Sequence, residues 1–210
     1  MEKKILIAVD DSRHSENALR YAATLYETAH DATFVLLHVQ PTISQYLLDE
    51  ARIKPGASAQ LKKLMKKNNQ SAQTLLEKYK ALLTSRGVAD TDIDLLTLPR
   101  KSGVAKDILE YSIAMQYDAI LLGRRGLTGL AETFIGSVSA NVVDNSPLIP
   151  VWLVDESTAS KAVMVAVDGS ESSLRAVDHL AFMLGGNTDV ELCFFHMAPR
   201  LKDFCPIDFT

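Results

Sequence analysis

A doubly wound α/β fold on a five-stranded parallel sheet is what this sequence predicts, and three observations predict it. Short uninterrupted apolar runs recur, amphipathic segments of helical period separate them, and glycine or proline marks the changes between the two. The alternation fills residues 1–156, and a partial second strand-helix-strand unit follows over 157–210.

Taken in order, "ILIAVD" and "FVLLHV" are continuous apolar runs rich in β-branched and bulky residues, as strands buried on both faces require. Between them "SENALRYAATLYETAH" puts Ala18, Leu19, Ala22, Ala23, Tyr26 and Ala29 on one helical face. The stretch "TISQYLLDEARIKPGAS" reads as a surface excursion, and residues 58–86 as a helix that stops at Gly87. "DIDLLTLP" is then a third strand, "VAKDILEYSIAMQY" a helix and "DAILLG" a fourth strand. "SVSANVVDNS" is a short helix and "IPVWLV" a fifth strand. Parallel strands joined through helices imply right-handed crossovers, with any ligand at the carboxyl ends of the strands.

The 210 residues are 47% hydrophobic, enough for a real core. A net charge of −4, from 22 basic and 26 acidic side chains, lacks the positive excess a nucleic-acid partner uses. No apolar run approaches the ~20 residues needed to span a bilayer, and "MEKKILIAVDDS" enters a strand directly, so a cytoplasmic protein without a membrane segment is expected. Cys193 and Cys205 do not make a disulfide framework, and the five histidines show no metal-ligand spacing with them.

An offset of 158 residues lays "KKILIAVDDSRHSENALRYAATLYETAHDATFVLLHVQP" over "KAVMVAVDGSESSLRAVDHLAFMLGGNTDVELCFFHMAP" without a gap. Asp10 falls on Asp168, Ser12 on Ser170, Ser15 on Ser173 and His38 on His196, but Asp11 falls on Gly169. The strand-turn-helix-strand unit therefore occurs twice, and Asp11 is marked as a turn position. Asp168 has no glycine loop of its own further along, so it reads as a turn residue or the relic of a binding turn.

Strand four runs into "LLGRRGLTGLAETFIGSVSANVV", where two residues separate Gly123 from Gly126 and nine more separate Gly126 from Gly136–Ser137. Glycine lets phosphate approach backbone amides that a Cβ would shield, and a helix entered there offers free first-turn N–H groups to an anion. Ser137 stands where it would cap that helix, and Ser137 and Ser139 add hydroxyl donors, so a triphosphate suits the arrangement. Arg124 and Arg125 serve either as phosphate contacts or as a solvated charge pair.

On that spacing, filled by Gly123, Gly126, Gly136 and Ser137, the chain resembles the ATP-binding universal stress proteins. The resemblance runs from "KKILIAVDDS" through "PLIPVWLV" and resumes at "KAVMVAVDGSESS", as in tandem members with an incomplete second domain. It implies a Rossmann-like sandwich of the adenine nucleotide alpha hydrolase type. It also implies a site in which Ala8, Val9 and Asp10 hold the nucleoside, Asp10 accepting from ribose hydroxyls, while Val39 offers its backbone to adenine. Leu122 and Gly123 would lie beside the sugar; Gly126, Gly136, Ser137, Val138 and Ser139 would surround the phosphates, with Mg²⁺ bridging phosphate oxygens. The implied role is a nucleotide-dependent stress-response sensor with at most slow ATP hydrolysis and a regulatory protein partner, since no general base is evident. Family members commonly dimerise through the last strand, so residues 147–154 are expected to pair in a homodimer.

Rival readings make demands the residues do not meet. A response-regulator receiver needs an aspartate at the tip of strand three and a lysine after strand five, where "LLTLPRKSG" and "VWLVDES" stand. A nucleotidyl transferase needs a histidine or lysine motif in the first loop, and His14 is isolated. A slow ATPase and an assembly module that dispenses with nucleotide remain alternatives to the sensor.

Overall fold

The computed structural model describes residues 2–28, 31–124, 135–155, 162–185 and 189–197. The chain forms two compact units, residues 1–158 and 159–210. In the first, β1 (Lys3–Ala8), β2 (Ala32–Val39), β3 (Ile93–Leu98), β4 (Ala119–Gly123) and β5 (Val151–Val154) form one parallel sheet. Its order is β3-β2-β1-β4-β5, so the chain reverses direction across the sheet between β1 and β4 and opens a crevice there. The central strands carry the most apolar runs: Ile5, Leu6, Ile7, Ala119, Ile120 and Leu121 are wholly buried.

Helix α1 (Arg13–Thr28) turns Ala18, Leu19, Ala22 and Ala23 into the core, and these mostly small residues let it lie close against the sheet. It packs with α3 (Pro55–Thr84), which buries Leu76, Tyr79 and Leu83. Helix α4 (Val104–Ala114) packs with α5 (Ser137–Asp144), closing an apolar cluster that includes Leu6, Leu37, Ile108, Ile120 and Val142.

One expected excursion is instead a helix, α2 (Gln45–Ile53), followed directly by α3 from Pro55. Ser44 caps α2 by accepting the amide of Leu47 at 3.3 Å, and Pro55 supplies a preset φ at the first position of α3. Helix α2 buries no residue, so it leaves no apolar stripe to be seen in the sequence. The stop at Gly87 is as expected: it takes φ +94°, its amide reaches the carbonyl of Thr84, and that of Val88 reaches Leu83.

The second unit contains β6 (Ala162–Ala166), α6 (Glu171–Leu184) and β7 (Glu191–Phe195), with β6 and β7 in a two-stranded parallel sheet. Ala162 pairs with Glu191 as Lys4 pairs with Thr33, each 158 residues earlier. Met164, Leu192 and Phe194 are exposed, although they follow the fully buried Leu6, Phe34 and Leu36 by that offset.

Candidate functional site

Parallel register brings the ends of β1, β2 and β4 to one edge. Ala8 is level with Leu37 and Leu122, so Val9 and Asp10 leave the sheet beside His38–Val39 on one side and Gly123 on the other. The amide of Val9 still donates to Leu37, at 2.8 Å, and His38 Nδ1 donates to the carbonyl of Val9, at 2.9 Å. That bond requires the proton on Nδ1. The strand exit is thus fixed through its neighbour before the turn begins.

The turn itself is a hydrogen-bonded knot. Ser12 Oγ accepts the amide of Ser15 at 3.2 Å, a helix cap, and donates to Asp10 Oδ1 at 2.5 Å. Ser15 Oγ accepts the Asp10 amide at 2.9 Å and donates to the same Oδ1 at 2.7 Å. From the other side Tyr79 Oη donates to the Asp10 carbonyl at 2.8 Å. Burial pushes the Tyr79 phenol up, and the carboxylates of Asp11, Glu16 and Asp10 push it further, so it stays a hydrogen-bond donor. Asp11 faces outward, 3.6 Å from Lys78, which also meets Glu16 at 3.0 Å. The two adjacent aspartates therefore separate in role, one held inside the turn and one on its surface.

The second unit repeats much of this knot. Val167 donates to Phe195 at 2.8 Å, His196 Nδ1 donates to Val167 at 2.7 Å, and Ser170 accepts the Ser173 amide at 3.2 Å. It differs around Gly169, which takes φ +82° where Asp11 does not, and where the Ser170 amide donates to Asp168 Oδ1 at 2.9 Å. That carboxyl is held down to about 2, by the Ser170 hydroxyl first, then by the Ser170 amide and the Ser173 hydroxyl.

At the end of β4, Gly123 is buried, and a Cβ there would stand 2.6 Å from the backbone carbon and oxygen of His14. The first turn of α1 thus crosses directly over the end of β4, and this approach alone demands glycine. Arg125 and Gly126 lie outside the described residues, but the flanks of that loop are joined by the Gly136 amide donating to the Arg124 carbonyl at 2.8 Å. Arg124 is not directed as a free phosphate contact: its guanidinium meets Asp155 Oδ2 at 2.7 Å, and Asn17 holds the Asp155 carbonyl.

The expected cap by Ser137 is corrected. Gly136 is the N-cap of α5, and Ser137 is the first helical residue. Gly136 has no side chain, so no side-chain oxygen of the cap satisfies the first-turn amides. Among the described residues no side-chain cap occupies the first turn, which carries the positive end of the helix dipole. Ser139 also departs from expectation, because its buried hydroxyl already donates to the Gly123 carbonyl at 2.8 Å. It locks α5 to β4.

Ala8, Val39, Leu122 and Val138 meet in the apolar cluster under α4 and α5, which gives the edge an apolar floor beside the N-terminus of α5. A cleft of about 770 Å³ continues between α4 and α5, lined among others by Gly103, Val104, Leu109, Ser137, Val138 and Asn141. Among the described residues no group of three or more His, Cys, Asp or Glu side chains could hold a metal ion, and no helix is long and apolar enough to cross a membrane. Sequence reasoning missed Tyr79, which reaches Asp10 across 69 residues of chain, and did not foresee that Ser12 and Ser15 both grip its carboxylate.

Several known proteins are similar to this chain. A universal stress protein from Mycolicibacterium smegmatis is 25% identical over 211 residues, covering 98% of this chain and 67% of that protein. A universal stress protein of Staphylococcus aureus, itself described as putative, is 30% identical over 149 residues, covering 69% of this chain and 80% of its own. Among solved structures, a universal stress protein from Archaeoglobus fulgidus DSM 4304 superposes with a TM-score of 0.69 at 18% identity, over 96% of this chain and 70% of that one. One from Archaeoglobus fulgidus in complex with dAMP gives 0.51 at 20% identity, over 73% and 98%. Another, in complex with cAMP, gives 0.53 at 18%, over 73% and 97%. The model of the universal stress protein family matches residues 1–155, and the chain belongs to that family.

Proposed function

We propose that the first unit binds an adenine nucleotide at the carboxyl edge of β1, β2 and β4, with ATP as the ligand and Mg²⁺ held by phosphate oxygens and water. The observation that carries this is the glycine-capped entry to α5, whose first-turn amides have no side-chain cap and open beside an apolar floor. Phosphate oxygens are natural acceptors for such amides, and the floor of Ala8, Val39, Leu122 and Val138 suits a purine. Asp10 Oδ2 takes no hydrogen bond from the described residues and is available to ribose hydroxyls. The complexes of structural neighbours with cAMP and dAMP support the same ligand class.

In this reading the protein is a cytoplasmic, nucleotide-dependent stress-response regulator that acts through a protein partner and hydrolyses ATP slowly at most. Asp10, the carboxylate nearest the strand exit, is engaged through Oδ1 by two hydroxyls, an arrangement suited to holding a ligand rather than extracting a proton from water. The repeated hydrogen bonds 158 residues apart support a tandem origin for residues 157–210. A homodimer through residues 147–154 is part of the proposal: β5 is an edge strand, and Leu148 beside it is 74% exposed. Calorimetric titration with ATP, AMP and GTP, with and without Mg²⁺, tests it. Saturable, adenine-selective binding is expected, and equal binding of GTP or none of ATP overturns the assignment.

A further inference from the structure

We infer that Tyr79 is a positioning residue for the nucleoside end of the site: with Ser12 and Ser15 it sets the Asp10 carboxylate for the sugar. This rests on the adenine-nucleotide reading and adds to it a residue on α3, far from the glycine loop in sequence.

The two copies of the β-to-α corner supply the comparison. Both have the capping serine, the strand-to-strand amide bond and the histidine on the strand carbonyl, so those parts serve the turn wherever it occurs. In both, serine hydroxyls hold the aspartate: Ser12 and Ser15 on Asp10 Oδ1, and Ser170 and Ser173 on Asp168, which also accepts the Ser170 amide. One feature belongs to the first copy among the described residues: its Asp10 carbonyl receives the Tyr79 hydroxyl at 2.8 Å. The Tyr79 ring is wholly buried, so the hydroxyl reaches the turn from a fixed base on α3.

A peptide carbonyl held from α3, and a carboxylate oxygen held from α1, leave the Asp10 side chain little rotation about its own Cα. Oδ2 is the remaining acceptor, and it projects from a residue two past Ala8, the end of β1. Pre-setting it means that binding need not order the carboxylate, which is where affinity is gained by rigidity. A general loosening of the site would weaken every nucleotide alike. A mispositioned Asp10 weakens only ligands that carry ribose hydroxyls.

The test uses the full chain and two ligands, ATP and 2′,3′-dideoxyATP, titrated against the wild type, Tyr79→Phe and Ser15→Ala. Tyr79→Phe keeps the ring and removes one hydrogen bond, so the preference of the wild type for ATP over the dideoxy analogue should shrink about fivefold. Ser15→Ala, which removes one of the two hydroxyls on Oδ1, should move the ratio the same way, and it provides the measurement if Tyr79→Phe fails to fold. A wild-type preference that both variants preserve overturns the positioning role and leaves the nucleotide reading standing. A wild type that binds neither ligand overturns the nucleotide reading and the inference with it.

Discussion

Adding one methyl group at Gly123 separates two accounts of that residue. As a glycine of a phosphate loop it could be replaced with loss of ligand and little loss of stability. The structure gives it another duty: an ideal Cβ would stand 2.6 Å from the His14 backbone carbon and oxygen and 2.7 Å from its Cβ. Two of those three atoms are main chain, so relief requires the first turn of α1 to move off β4. Forcing a methyl into a packed core costs about 1–3 kcal/mol, and a backbone obstacle puts this case toward the upper end. Restricting the unfolded chain returns about 0.5–1 kcal/mol, leaving a net loss of about 2 kcal/mol. For a unit of this size that is a fall of about 4–8 °C in the unfolding midpoint. Circular dichroism melts would measure it, with Gly56→Ala as the control, because nothing lies within 4 Å of a Cβ built there. The control should melt with the wild type or slightly above. A Gly123→Ala protein that also melts with the wild type would refute the close crossing of α1 over β4.

Other substitutions test other parts of the account. Gly136 sits at φ −59° and ψ 147°, a conformation open to any L residue, so Gly136→Val should fold normally while its side chain shields the α5 amides; ATP affinity retained in titration contradicts the assignment of those amides. Gly126→Val should likewise remove nucleotide binding without unfolding the chain. The Asp168 carboxyl is lowered to about 2, so its contribution to the second unit is present above the ordinary value of 3.8 and is lost as pH falls toward about 2. A carboxyl NMR titration with its midpoint at the ordinary value would contradict the serine network. If β5 pairs in a dimer, light scattering should show a dimer for the wild type and a monomer for Leu148→Asp, and a wild-type monomer at micromolar concentration removes that proposal.

Strand positions were legible because central strands are apolar without interruption: "ILIAVD" and "DAILLG" announce β1 and β4, the two most buried. Helix α2 was hidden because it buries nothing, and burial is what periodicity records. The glycine spacing raised the expectation of an anion site between β4 and α5, but it could not say which residue caps α5. Serine is the usual cap, and here Gly136 takes the position while Ser137 becomes helical. Gly123 illustrates the same limit, since the demand for glycine comes from His14, more than a hundred residues earlier in the chain.

Non-local contacts explain the rest. The repeat sets Asp10 apart from Asp11 in the sequence, and their contacts differ in the structure: Asp10 is enclosed by Ser12, Ser15 and Tyr79, and Asp11 meets Lys78 at the surface. The Gly169 match told only that the position is a turn. It did not tell that glycine there takes a positive φ and redirects the Ser170 amide, so the two turns differ within a shared pattern. Arg124 could not be assigned because its partner, Asp155, follows β5 and reaches it only through the β4–β5 pairing.

The central claim is that the edge formed by β1, β2, β4 and the start of α5 holds an adenine nucleotide. Denaturing the purified full chain and identifying released small molecules by mass, alongside titration of the emptied protein with ATP, tests it most directly. The account predicts an adenine nucleotide in the released fraction, or saturable ATP binding by the emptied protein that Gly136→Val removes. A different released ligand, or an emptied protein that takes up no ATP, would contradict it.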